Sequence, residues 1–226
     1  MWIAVKMFWP LVRKDLLLES RTKEITTSML AFGLATVLIY ALAFSASPAI
    51  YRSFAPGLFW VIILFASALG LHRMFVLEKE FDAFSLSISA PVDRGIIFLA
   101  KWISGTILMI ISESVIIQLF VMFMGLSLPN NWLIMIMIII IGNLGIMAVG
   151  SLVSGLAMRA KMSEILLPIL LFPLVSPLLI ASVKATNGWF QGIPFMNWQF
   201  WVLLMITFVV VFALLGYTIF DHITEE

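Results

Sequence analysis

From Ile25 to Tyr51 the chain carries no charged residue. An apolar interval of that length is enough for a helix to cross the roughly 30 Å hydrocarbon layer of a bilayer. Inside lipid the backbone has no water to bond, so such an interval must satisfy its own N–H and C=O groups as a helix. Further apolar runs beyond about 18 residues follow it, and the mean hydropathy of +1.15 with 11% charged residues excludes a soluble domain. The absence of Cys removes disulfides, thiolate metal sites and cysteine nucleophiles. A net charge of +1, dispersed over short loops, gives no patch for nucleic acid. The first ten residues lack the order of a cleavable signal peptide.

The pattern predicts six spans at about 28–46, 57–75, 96–124, 132–158, 164–183 and 198–220. Ser47-Pro48 ends the first, and Ala55-Pro56-Gly57 opens the second. Leu128-Pro129-Asn130-Asn131 is a tight turn, and a longer loop is expected from Lys184 to Asn197. Before the spans, residues 2–24 read as an amphipathic helix lying at the membrane surface. Val5, Phe8, Trp9, Val12 and Leu16 follow the spacing of one apolar face, Pro10 starts or kinks the helix, and Glu19 with Lys23 forms an i,i+4 pair. The expected fold is therefore an all-α integral membrane protein, one transmembrane domain over residues 1–226, with six transmembrane helices after an N-terminal interfacial helix.

Six crossings put both termini on one side. That side holds eleven Lys and Arg, and the other only Arg52 and Lys184. The positive-inside rule then places both termini in the cytoplasm. Trp60, Trp132, Trp198 and Trp201 fall near span ends on the opposite side, where an interfacial aromatic belt is expected.

The longest charged interval between two apolar runs extends from His72 to Lys101. Within it, residues 76–91 form the cytoplasmic segment expected to meet a separate soluble motor. Phe81 and Phe84, beside Glu78, Glu80 and Asp82, suit a helix that docks into a groove on another protein. The same residues also suit an ordinary loop on the membrane surface. Arg159 and Lys161 make a second, very short cytoplasmic connection.

Pro91-Val-Asp-Arg94 and the apolar stretch after it resemble the region following the first coupling segment of ABC-2 type permeases. A narrower resemblance covers about 170 residues. Lys14-Asp-Leu-Leu-Leu-Glu-Ser-Arg21 with Lys23-Glu24, Ala55-Pro-Gly-Leu-Phe-Trp60, Arg73-Met-Phe75 with Glu78, Ala90-Pro91 with Lys101, and Phe172-Pro-Leu-Val-Ser-Pro-Leu-Leu-Ile180 occur in the order seen in CcmB, the haem exporter B family of cytochrome c maturation. Ala83 departs from the Gly expected there. The resemblance implies a permease subunit in the bacterial inner membrane, working with a CcmA-like ATPase and with CcmC-like and CcmD-like haem-handling partners, in two permease copies or a pseudo-symmetric pair. By position, Glu78, Glu80, Phe81, Asp82 and Phe84 would form the larger ATPase contact, with Arg159 and Lys161 the smaller. The sequence agrees that ATP is handled elsewhere, because no G-x-x-x-x-G-K-[ST] phosphate loop occurs. A permease for a lipid or drug, a non-transporting assembly scaffold and an intramembrane enzyme are the alternative readings.

Glu113 is the only acid well inside a span. An intramembrane carboxyl must face a cavity, a partner or polar neighbours. Counting along the third span places it beyond the midplane toward the outer side, with Ser112, Ser114 and Gln118 as a nearby polar patch. Glu113 and Gln118 read as transport-path residues, with Glu113 alternatively a protonated or hydrogen-bonded packing residue between helices. Gly150/Ser154 and Ser151/Gly155 are small-xxx-small pairs for close helix contact. Pro168, Pro173 and Pro177 must kink or break the fifth span. The two histidines, His72 and His222, both fall on the cytoplasmic side, which leaves no strong axial haem ligand in the outer loops. Trp189, Phe190 and Phe195 could pack on a flat ligand or sit at the interface. No cofactor is expected on this chain alone, and haem enters only as cargo.

Overall fold

A computed structural model describes residues 2–43, 48–80, 93–129, 131–157 and 163–224. All the regular structure among them is helical. In chain order the elements are α1 (Trp2–Thr22), α2 (Glu24–Ala43), α3 (Pro48–Glu80), α4 (Arg94–Phe123), α5 (Trp132–Ala157), α6 (Ser163–Phe190) and α7 (Gln199–Thr224), with a 3₁₀ turn at Phe195–Asn197 before the last. Six of them, α2 to α7, are long and apolar enough to cross a membrane. The predicted number of spans and the N-terminal helix are both present.

The core forms around α3 and α5, the most buried spans, while α2 and α7 present most of their surface outward. Helix α5 packs against α3, α4, α6 and α7. Its small residues allow this. A Cβ on Gly145 would meet Leu178 of α6 at 2.5 Å, and one on Gly155 would meet Phe220 of α7 at 2.6 Å. Gly150, Ser151, Ser154 and Gly155 are all buried, so the small-residue pairs serve close contact as expected.

Helix α6 is longer than predicted. It continues through Lys184 and Asn187-Gly188 to Phe190, which shortens the expected loop to Gln191–Pro194. Ala185, Thr186 and Trp189 are buried, and Thr186 Oγ1 accepts a 2.9 Å bond from Trp60 Nε1. This packing outweighs the breaker signal of Asn-Gly. The true stop is Gly192 at φ +66°, where the Ile193 and Gly192 amides return to the carbonyls of Gly188 and Trp189 at 3.0 and 3.1 Å. That pattern satisfies the last carbonyls of a helix and calls for a left-handed glycine. The three prolines leave α6 a single helix rather than breaking it. Pro177 cannot bond the carbonyl of Pro173, and Ser176 Oγ donates to that carbonyl at 2.8 Å instead.

Helix α3 is also extended, at both ends. It starts at Pro48, absorbing the expected loop at Arg52 and the Ala55-Pro56-Gly57 opening, and it runs past Phe75 to Glu80. A proline in the first turn forfeits no helical bond, which favours the early start. The aromatic belt needs a correction too. Trp132 is exposed and Trp201 half-buried, as a belt requires, but Trp60 and Trp198 are buried and belong to the packing. Trp189 is buried as well, its Nε1 donating to the Asn131 carbonyl at 2.9 Å.

Candidate functional site

Helix α1 packs mainly against α4, and it does so with an unusual face. Among its described side chains the buried ones are Val12, Asp15 and Glu19, spaced i, i+3, i+7. Trp9, expected with Val12 on the apolar face, is instead exposed alongside Arg13, Leu17 and Arg21 on the outer face. Two carboxylates therefore point inward. Each one has a defined partner.

Glu19 turns the corner between α1 and α2. Its Oε1 and Oε2 accept from the backbone amides of Thr26 and Ile25 at 2.8 and 3.2 Å. These are otherwise unsatisfied donors of the first turn of α2, where a carboxylate also complements the helix dipole. The expected Glu19–Lys23 pair is absent among the described residues. Lys23 occupies the corner itself, at φ 56°, with its amide bonded to the Glu19 carbonyl at 2.7 Å.

Asp15 enters an ion cluster joining α1, α3 and α4. Its Oδ1 accepts from Lys101 Nζ at 2.9 Å and its Oδ2 from Ser104 Oγ at 2.9 Å. Lys101 also pairs with Glu78 Oε1. Lys14 lies 3.4 Å from Asp15 and 3.3 Å from Glu78. Two cations thus face two carboxylates. Lys101, Asp15 and Glu78 have side chains 5%, 5% and 2% exposed, and only Lys14, at 38%, reaches outward. Buried charges at the end of a membrane helix survive only when paired in this way. Glu78 Oε2 has no hydrogen-bond partner among the described residues.

The cluster adjoins the polar segment that follows α3. Glu78 is two residues from the end of α3, and Asp93 precedes α4. Asp93 caps α4, its Oδ1 accepting from Gly95 N at 2.8 Å, while Tyr217 Oη of α7 donates to Oδ2 at 3.4 Å. Both ends of the intervening segment are thereby anchored in the helical bundle.

Glu78, expected on an exposed docking face, is instead interior. It follows Leu71, Met74, Phe75 and Leu77 on the inward face of α3, which persists because the helix does not stop at Phe75. Glu80 lies at the end of α3, and the Phe81, Asp82 and Phe84 assignments, with Arg159 and Lys161, fall outside the described residues. Glu113 is buried with Asn143 of α5, whose Nδ2 donates to Glu113 Oε2. Gln118 faces outward, away from it, and Ser114 is likewise exposed, bonding its own Ile111 carbonyl at 2.7 Å. The expected polar patch around Glu113 is therefore not assembled from these residues. Sequence reasoning missed Asp15, Lys14, Lys101 and Ser104 as a group, although Asp15 stands three positions after Val12 on the inward face.

Six apolar helices long enough to cross a bilayer define the class, a multi-pass helical membrane protein. Comparison with known families gives the particular one: the CcmB protein family matches residues 6–222, and the chain belongs to it. Heme exporter protein B of Rhodobacter capsulatus is 26% identical over 187 residues, covering 81% of this chain and 84% of that one. Heme exporter protein B of Escherichia coli K12 is 28% identical over 111 residues, 47% of this chain and 50% of its own. Lys14, Asp15, Glu78 and Lys101, the four charges of the cluster, all lie within the matched region.

Proposed function

We propose that this chain is the membrane subunit of a haem-export system serving c-type cytochrome biogenesis, driven by a separate ATPase. Membership of the CcmB family carries the reading, and relatives named Heme exporter protein B support it. The ATPase contacts residues 81–91, with Glu80 at the segment's start, and residues 159–163 as a smaller second contact. Haem is cargo, and its axial ligands come from haem-handling partner subunits. The bilayer is the bacterial inner membrane, in keeping with the bacterial relatives, and both termini lie in the cytoplasm, which the Lys/Arg distribution supports.

In this reading the ion cluster is a mechanical joint. A push on the segment after Glu80 reaches α4 through Glu78–Lys101 and reaches α1 through Lys101–Asp15. The outer face of α1, with Trp9, Arg13, Leu17 and Arg21, suits the headgroup layer and gives the joint a fixed base there. Haem staining of c-type cytochromes in a strain lacking the gene tests the function. Loss of staining, restored by the wild-type chain, is expected, and normal maturation without it refutes the proposal.

A further inference from the structure

Glu113 is 1% exposed and Asn143 is 0% exposed. Asn143 Nδ2 donates a hydrogen bond to Glu113 Oε2, which joins α4 to α5. Glu113 lies ten residues before Phe123, the last residue of α4, and Asn143 lies eleven after Trp132, the first of α5. At 1.5 Å per residue both are about 15–17 Å from the outer helix ends, which is the middle of a hydrocarbon layer of about 30 Å. The pair is therefore at the midplane. Counting from the start of the span instead places Glu113 toward the outer side, because α4 has more of its length on the inner side of the pair.

The bonding is incomplete in an informative way. Glu113 Oε1 and Asn143 Oδ1 are both buried, and neither has a partner among the described residues. An ionised carboxylate and an amide oxygen are both acceptors, and two unpaired acceptors at the midplane of a bilayer are costly. No cation compensates, because the ion pairs of the described residues all involve other acids. A single proton on Oε1 resolves both deficits, since it makes Oε1 a donor that Asn143 Oδ1 can accept. A carboxylic acid and a primary amide are both planar, with their two polar atoms equally spaced, so they close a ring of two parallel hydrogen bonds.

We propose that Glu113 is held as a neutral carboxylic acid in a cyclic two-bond clasp with Asn143, and that this clasp fixes α4 to α5 at the bilayer midplane. The clasp explains why this chain tolerates a carboxyl there without a basic partner. It also ties α4, the helix that carries Lys101 and Ser104 in the inner cluster, to the central helix at mid-depth. Glu113 then positions helices and does not carry charge across the membrane.

The test uses the full chain, purified with its co-expressed partner subunits. Infrared spectroscopy should show a carboxylic-acid carbonyl band at neutral pH that disappears in Glu113→Gln. Asn143→Leu should retain the band and shift it to the frequency of an acid that has lost its hydrogen bond. Gln reproduces both bonds, so Glu113→Gln should keep the thermal midpoint of the wild type, whereas Glu113→Leu and Asn143→Leu should each lower the folded-to-unfolded ratio near that midpoint by about fivefold to tenfold. Absence of the wild-type acid band, or a Gln variant as unstable as the Leu variant, overturns the proposal.

Discussion

Replacing Lys101 with Met is the most direct test of the inner cluster. The substitution keeps an unbranched apolar stem and removes the cation that holds both Asp15, at 2.9 Å, and Glu78. What remains is two carboxylates, each about one-twentieth exposed or less, with Lys14 as the cation at 3.4 and 3.3 Å and Ser104 still bonded to Asp15. Removing one member of a buried pair typically costs about 3–5 kcal/mol. Lys14 is 38% exposed and its attraction is weakened by water and headgroups, so it offsets only part of that loss. For a chain of this size each kcal/mol shifts a thermal midpoint by about 2–4 °C, which makes the expected drop roughly 6–20 °C. Fluorescence-detected size exclusion after heating in detergent reads it. The triple variant Lys101→Met, Asp15→Asn, Glu78→Gln removes the stranded charges and should recover most of the stability, since buried ion pairs are often replaceable by neutral groups. If the cluster transmits motion, the triple variant is stable yet poor in cytochrome maturation. A Lys101→Met protein with an unshifted midpoint would refute the buried cluster, and a triple variant with full maturation would refute its role as a joint.

Glu19→Ala should free the amides of Ile25 and Thr26 and cost about 1 kcal/mol, seen as faster hydrogen exchange at those two positions. Lys23→Gly should gain stability by about 1 kcal/mol, because it relieves a left-handed side-chain-bearing residue, readable as a higher thermal midpoint. Phe84→Asp should weaken ATPase association on co-purification while leaving the thermal midpoint of the six spans unchanged, and stable association would move the contact elsewhere.

The number of spans was legible because each apolar run is long and interrupted by charge or by Pro and Asn, signals that lipid leaves little freedom to override. Helix ends were less so. Asn187-Gly188 reads as a loop by local preference, yet Trp60 bonding Thr186 and the burial of Trp189 carry α6 through it. The cluster was half legible. Lys14-Asp15, Glu78 and Lys101 stood out as family-like pieces, but an acid on an amphipathic helix reads as its wet side, and only the contact of α1 with α4 shows Asp15 turned inward. Asn143 as the partner of Glu113 had no local signal, since the pairing joins residues 30 apart on different helices.

The cluster also bears on topology in a way independent of loop charge. Asp15, Glu78 and Lys101 meet in space, so α1 must lie at the same membrane face as the end of α3 and the start of α4. The six spans of even number then return α7 to that face. The cluster thus ties the N-terminal helix to one side, and the proposed cytoplasmic orientation assigns that side from the Lys/Arg bias. Because the chain has no cysteine, single cysteines can test the orientation without background. Ser20 is exposed on α1, and Met196, 76% exposed, lies on the 3₁₀ turn at the other end of the bundle. In intact spheroplasts a membrane-impermeant maleimide should label Met196→Cys and spare Ser20→Cys, which should react only after permeabilisation. The reverse pattern would invert the protein in the membrane and expel the segment after Glu80 from the cytoplasm. No cytoplasmic ATPase could then reach it, so the proposed coupling would fail even with the ion cluster intact.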